Sequence, residues 1–160
     1  MADQDNLFPE DYEDETVDPD EIEEDEPIGY RPGVAFDWAV GDFVRDGRNN
    51  LMEATGVESW KQWCMNCIQT ERYKHLAYSE DYGIEIEEAF KATTREEAES
   101  ILTRQIVEAL EADPYGRTAY VDSITFNWTQ PDAVQVDLTV VGIADVTIDI
   151  TTFITNGGES

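Results

Sequence analysis

The side chains of this 160-residue chain that could do chemistry are two cysteines, one histidine and a large surplus of carboxylates. The cysteines stand in Cys64-Met65-Asn66-Cys67. A structural zinc ion takes about four ligands, and two thiols with His75 supply too few. A redox dithiol works from a first cysteine at a helix N-terminus, where the dipole lowers its pKa. Here both thiols fall late in a predicted helix, on its apolar face, and are expected to be small buried hydrophobes. His75 has no Gly-x-Ser-x-Gly to pair with, and is expected to be a surface or packing residue. No Gly-rich loop with its lysine is present to cradle a phosphate. With 37 Asp and Glu, carboxylate pairs at glycosidase spacing arise by chance and discriminate nothing. The residues therefore read as a protein that is not an enzyme, with no metal and no cofactor.

The formal net charge is −27. Residues 1–28 hold 14 acids and no Lys or Arg, and the remaining 23 acids face all 10 bases, a net −13. Both parts should repel nucleic acid and anionic membranes and favour basic protein surfaces. No apolar run is long enough to span a membrane. The acidic N-terminus lacks the apolar core of a secretory signal, so the chain is expected to stay in a reducing cytosol. Residues 1–30 read as an acidic extended or disordered arm, punctuated by Leu7, Phe8, Tyr12, Val17 and Ile22. A domain follows over residues 31–155, and residues 156–160 fray.

Several elements must position whatever this domain does. Val34, Phe36 and Trp38 alternate like a strand that runs on to Val44. Trp60, Trp63, Cys64, Cys67 and Ile68 share one face of a helix over residues 57–69, capped by Thr55 or Gly56. Thr93 and Thr94 each offer a capping box to a second helix, whose stripe is Ala98, Ile101, Leu102, Gln105, Ile106, Ala109 and Leu110. Asp113-Pro114-Tyr115-Gly116 stops it. Three strands follow, with Ile124, Phe126 and Trp128, then Val134, Val136 and Leu138, then Val146, Ile148 and Ile150 at matching parity. The predicted class is α+β: an antiparallel sheet, made of this C-terminal meander and the N-terminal strand, with two main helices on one face.

Between the helices lies TERYKHLAYSEDYGIEIEEAF, residues 70–90. Tyr73, Tyr78 and Tyr82 are expected to be at least half buried there, and Gly83 to take a positive φ or a close backbone contact. The Thr70-Glu71-Arg72-Tyr73 step, followed by Tyr78-Ser79-Glu80-Asp81-Tyr82-Gly83, resembles the small baseplate wedge proteins, or sheath initiators, of contractile phage tails and related contractile injection systems. Phe36-Asp37-Trp38 and Gly41-Asp42-Phe43 extend the resemblance upstream, so that it covers residues 34–150. Asp113-Pro114-Tyr115 stands where the better-known branch has Glu-Pro-Arg, with Arg117 displaced by two positions.

The resemblance implies a structural protein of the virion, in the tail baseplate, present in several copies and assembled in the host cytoplasm. Its implied partners are larger baseplate wedge proteins, tail sheath subunits, and tube or hub proteins. The family has sometimes been labelled lysozyme-like, but no residue pattern here supports lytic chemistry. The motif residues expected at interfaces are Glu71, Arg72, Tyr73, Tyr78, Asp81, Tyr82, Gly83, Asp113, Pro114 and Tyr115. The last strand, marked by Val146, Ile148, Ile150, Thr152 and Ile154, has no Lys, Pro or Gly to protect an edge. It is expected either to lie inside the sheet or to accept sheath strands by β-augmentation. The alternatives weighed are an acidic DNA mimic or inhibitor, and a C-x-x-C redox or metal protein.

Overall fold

The computed structural model describes residues 29–37 and 39–156; the expectations placed on residues 1–28, on Trp38 and on residues 157–160 lie outside them. The fold is α+β. Near the N-terminus, β1 (Gly33–Val34) pairs with β4 (Glu53–Ala54), and β2 (Phe36–Asp37) with β3 (Asp42–Phe43), both antiparallel. The single strand expected over this stretch is therefore folded back on itself. Asp37 explains the reversal, because its Oδ1 accepts the Ala39 amide at 2.8 Å and Gly41 then takes φ +76°. These short ladders stay separate from the C-terminal sheet.

Helix α1 (Gly56–Gln69) starts at Thr55, whose Oγ1 accepts the Glu58 amide while the Glu58 carboxylate accepts the Thr55 amide. Such a reciprocal cap satisfies two end donors, and losing a capping side chain costs about 1 kcal/mol. A short helix α2 (Ile86–Phe90) leads to α3 (Arg95–Glu111), capped by Thr94 through the Glu97 amide. Then β5 (Thr118–Gln130), β6 (Ala133–Gly142), a 3-10 turn (Ile143–Asp145) and β7 (Thr147–Thr155) form an antiparallel meander in the order β5-β6-β7.

Helix α1 packs over β7 and α3 over β5, on the same face. Val134, Val136, Leu138 and Val140 of β6 and Ile148, Ile150 and Ile154 of β7 meet Trp60, Ile68, Leu102 and Ile106 there. Burying such side chains stabilises the fold by roughly 1.5–3 kcal/mol each. The opposite face is polar: Thr139 donates to Asp149 at 2.7 Å and Thr151 to Asp137 at 2.5 Å.

One end of the meander is closed by Tyr30, counted with the arm on sequence grounds but buried here against Trp60 at 5.4 Å. Its hydroxyl donates to the Ile143 carbonyl, and Trp60 Nε1 donates to Thr118 Oγ1, each at 3.0 Å. Both rings come so close to Gly142 that a Cβ there would stand 2.1 Å from the Tyr30 hydroxyl. This position admits only glycine.

Candidate functional site

Residues 73–82 project from a neck built by backbone. Ile84 N donates to Thr70 O and Arg72 N to Ile84 O, each at 2.9 Å. Gly83 sits between them at φ +90°, where a Cβ would come within 2.6 Å of Thr70 O. The positive φ expected of Gly83 is present. Arg72 locks the neck from within: its Nε donates to Gly83 O at 2.9 Å and its Nη1 to Glu108 of α3 at 3.1 Å. The side chain is buried, and Nη2 has no partner among the described residues. Glu71 accepts the Ile86 amide at 3.1 Å, and burial pushes its carboxyl up against the pull of such amides.

The burial expected of the three tyrosines holds for Tyr82 and is corrected for Tyr73 and Tyr78. Tyr73 is 65% exposed and Tyr78 51%, with Leu76 fully in solvent; Tyr82 is partly buried. Ile84, Ile86, Cys67 and Ala109 already fill the core here and Tyr82 packs against it, so the Tyr73 and Tyr78 rings stay outside. Tyr73 also has φ +66°, an uncommon conformation for a bulky residue. Asp81 is exposed.

The two motif segments meet through a residue that sequence reasoning treated only as helix core, Trp63. Asp113 caps its own turn, accepting the Tyr115 and Arg117 amides at 3.1 Å each. Its carboxylate also takes Arg117 Nε at 2.8 Å and Nη2 at 3.0 Å, a buried bidentate pair. The guanidinium then lies 5.0 Å from the Tyr115 ring centre and 5.5 Å from that of Trp63. Trp63 continues to Tyr82 at 6.0 Å, Tyr82 to Tyr78 at 4.5 Å, and Tyr78 to His75 at 5.8 Å. Burial raises the Tyr82 hydroxyl pKa, so the ring is neutral at physiological pH. Tyr115 is exposed, as is Pro114. The result is a row of rings from the end of α3 to the loop, bridged between Tyr115 and Trp63 by the Arg117 guanidinium. The signal for Arg117 was its i+4 spacing from Asp113; nothing in the spacing of Trp63 marks its outward role.

The thiols of Cys64 and Cys67 are free and fully buried. Cys67 Sγ donates to Ala109 O at 3.9 Å and accepts from the Gly83 amide at 3.5 Å. Burial pushes both thiols up, Cys67 to about 11, so neither supplies a thiolate at neutral pH. Among the described residues no group of three or more His, Cys, Asp or Glu is placed to hold a metal ion.

The second candidate surface is the outer edge of β7. Of the marked residues, Val146 precedes the strand, while Ile148, Ile150, Thr152 and Ile154 turn inward and are buried. Thr152 receives the Gln69 amide of α1. The bonds Gly142 N to Val146 O and Asn156 N to Asp132 O bracket the β6–β7 register. Antiparallel pairs alternate between bonded and non-bonded, so the even-numbered residues bond to β6. The outward amides and carbonyls then belong to Thr147, Asp149, Thr151, Phe153 and Thr155. Among the described residues no strand pairs with them. The interior position considered for this strand is thus not the one observed.

The family model described as contractile injection system sheath initiator matches residues 33–145, from β1 to the turn before β7. The loop, Trp63, Asp113 and Arg117 lie within the match. A comparison with curated proteins finds none that matches the chain.

Proposed function

The chain belongs to the sheath initiator family of contractile injection systems, and from that premise we propose that β7 is the strand on which its sheath begins. Membership makes it a structural component of a contractile tail, acting with sheath and baseplate components. The finer reading is that a strand from a sheath subunit pairs with the outward groups of β7, while the motif loop and the Asp113–Tyr115 turn face larger wedge proteins near the tube.

The observation that carries it is a contrast between the two edges of the meander. Along β5 the register against β6 shifts at three places, and such bulges are one way proteins spoil an edge for pairing. Between β6 and β7 nine pairs run from Ala133–Thr155 to Val141–Thr147 without a shift. The edge carries no register shift and lacks Lys and Pro. It is suited to β-augmentation, in which main-chain bonds supply affinity and alternate side chains set register.

Deleting residues 146–160 would remove Ile148, Ile150 and Ile154 from the core, so a subtler variant is needed. Thr151→Pro removes one outward amide and leaves the main-chain bonds to β6 in place, losing only the side-chain bond from Thr151 to Asp137; Thr151→Val, which loses that bond alone, is the control. Tails carrying Thr151→Pro should form baseplates and fail to polymerise sheath on them. Normal sheath growth, or an assembled tail in which no sheath strand lies beside β7, would refute the reading.

A further inference from the structure

We propose that the row of rings from Tyr115 to Tyr78, with Leu76 beside it, docks an arginine-bearing segment of a baseplate protein. The proposal rests on the sheath-initiator reading for the assembly it belongs to, but not on β7. Leu76, Tyr78 and Tyr115 are large apolar side chains left in solvent. Contacts of this kind dominate interfaces when they are held rigid before binding. Here the two tyrosine rings are held: Tyr115 lies against a guanidinium clamped by Asp113, Trp63 against the same guanidinium, Tyr82 against Trp63 and Tyr78 against Tyr82.

The surface also shows which chemistry its rings accept. Arg117 lies against both Trp63 and Tyr115, and Tyr115 and Tyr78 each keep about half or more of their surface open for a second cation. Glu80 and Asp81 sit in the loop and Glu108, largely exposed, at its neck; Lys74 is the one opposing lysine in the loop. A planar guanidinium can stack on a tyrosine and bond a carboxylate at once, which a lysine does less well. A second copy of this chain is a poor occupant, since it carries the same net charge of −27.

The test uses tails of the parent system in which this chain is replaced by a variant. The readout is the amount retained per purified baseplate over a salt series. Leu76→Ser/Tyr78→Ala and Tyr115→Ala should each lower retention about tenfold or more, the loss expected of an anchor residue. Glu80→Lys/Asp81→Lys should do the same and shift wash-out to lower salt. Urea midpoints equal to that of the unmodified chain show that each variant is folded. Unchanged retention of the ring variants overturns the proposal. So does a silent charge reversal, which would mean that the partner is not basic, or full retention with loss of sheath, which would assign the surface to the sheath. Thr151→Pro separates the two ideas: it should stay in the baseplate whatever it does to sheath.

Discussion

The Asp113 carboxylate takes both an Nε–H and an Nη2–H from Arg117, where neither side chain meets solvent beyond a few per cent. A buried pair adds little net stability, but removing one partner strands the other's charge and costs about 3–5 kcal/mol. Asp113→Ala should therefore lower unfolding stability by about that amount. Asp113→Ala/Arg117→Met should recover part of it. Urea denaturation of the three proteins measures this; a single variant within about 1 kcal/mol of the parent would contradict the buried pairing.

Gly83→Ala should destabilise by about 1–3 kcal/mol, the usual cost of backbone strain. The φ of +90° resists any Cβ, and Thr70 O stands 2.6 Å from where it would go. Because Arg72 bonds the Gly83 carbonyl, amide exchange in residues 70–84 should rise along with the drop in urea midpoint. A variant as stable as the parent would mean that the neck is not closed as described.

Cys64 and Cys67 should resist a thiol reagent such as DTNB until the protein unfolds. Burial raises both thiols, Cys67 to about 11 against an ordinary 9.0. The folded state thus holds these protons to higher pH than the unfolded state. The resulting stability is present below about pH 9 and is lost as pH rises toward and through 11. Cys64→Ala/Cys67→Ala should show a shallower fall in urea midpoint over that range. Tyr82 and Tyr30, also raised by burial, add a slope of the same sign that the double variant keeps. Parallel pH curves would contradict the assignment.

Trp63→Leu should loosen the loop more than the domain. The Trp63–Tyr82 contact is of a kind worth about 0.5–1.5 kcal/mol, so exchange of the 76–82 amides should quicken by up to about tenfold. Protection in β6 should follow only the global stability. Equal acceleration in both places would mean that the row of rings is not a local support.

Much of the fold was legible because its long elements repeat one pattern. The spacing of Trp60, Cys64, Cys67 and Ile68 marked α1, and Thr94 with Glu97 marked the start of α3. The alternation of Val134, Val136, Leu138 and Val140 marked β6. The misses share a cause. Whether Tyr73 and Tyr78 are inside or outside depends on what already fills the space between α1 and α3, which no local pattern encodes. The split of the N-terminal strand turned on one side chain, Asp37, capping the turn that follows it. Trp63 looked like core because it shares the apolar stripe, yet its ring reaches a turn more than fifty residues away.

If β7 pairs with a sheath strand as proposed, holding the fold and meeting that partner fall to different residues of one strand. Ile148, Ile150, Thr152 and Ile154 are committed to the interior, while Asp149, Thr151 and Phe153 present their backbone outward and their side chains to the polar face. Mutations at the second set can drift in step with a changing sheath sequence at small cost to folding, because surface substitutions usually shift stability by less than about 0.5 kcal/mol. On that reading a lineage could exchange sheath partners by small steps on every second residue, with selection for stability acting chiefly on the others and only lightly, through their bonds to Thr139 and Asp137, on Asp149 and Thr151.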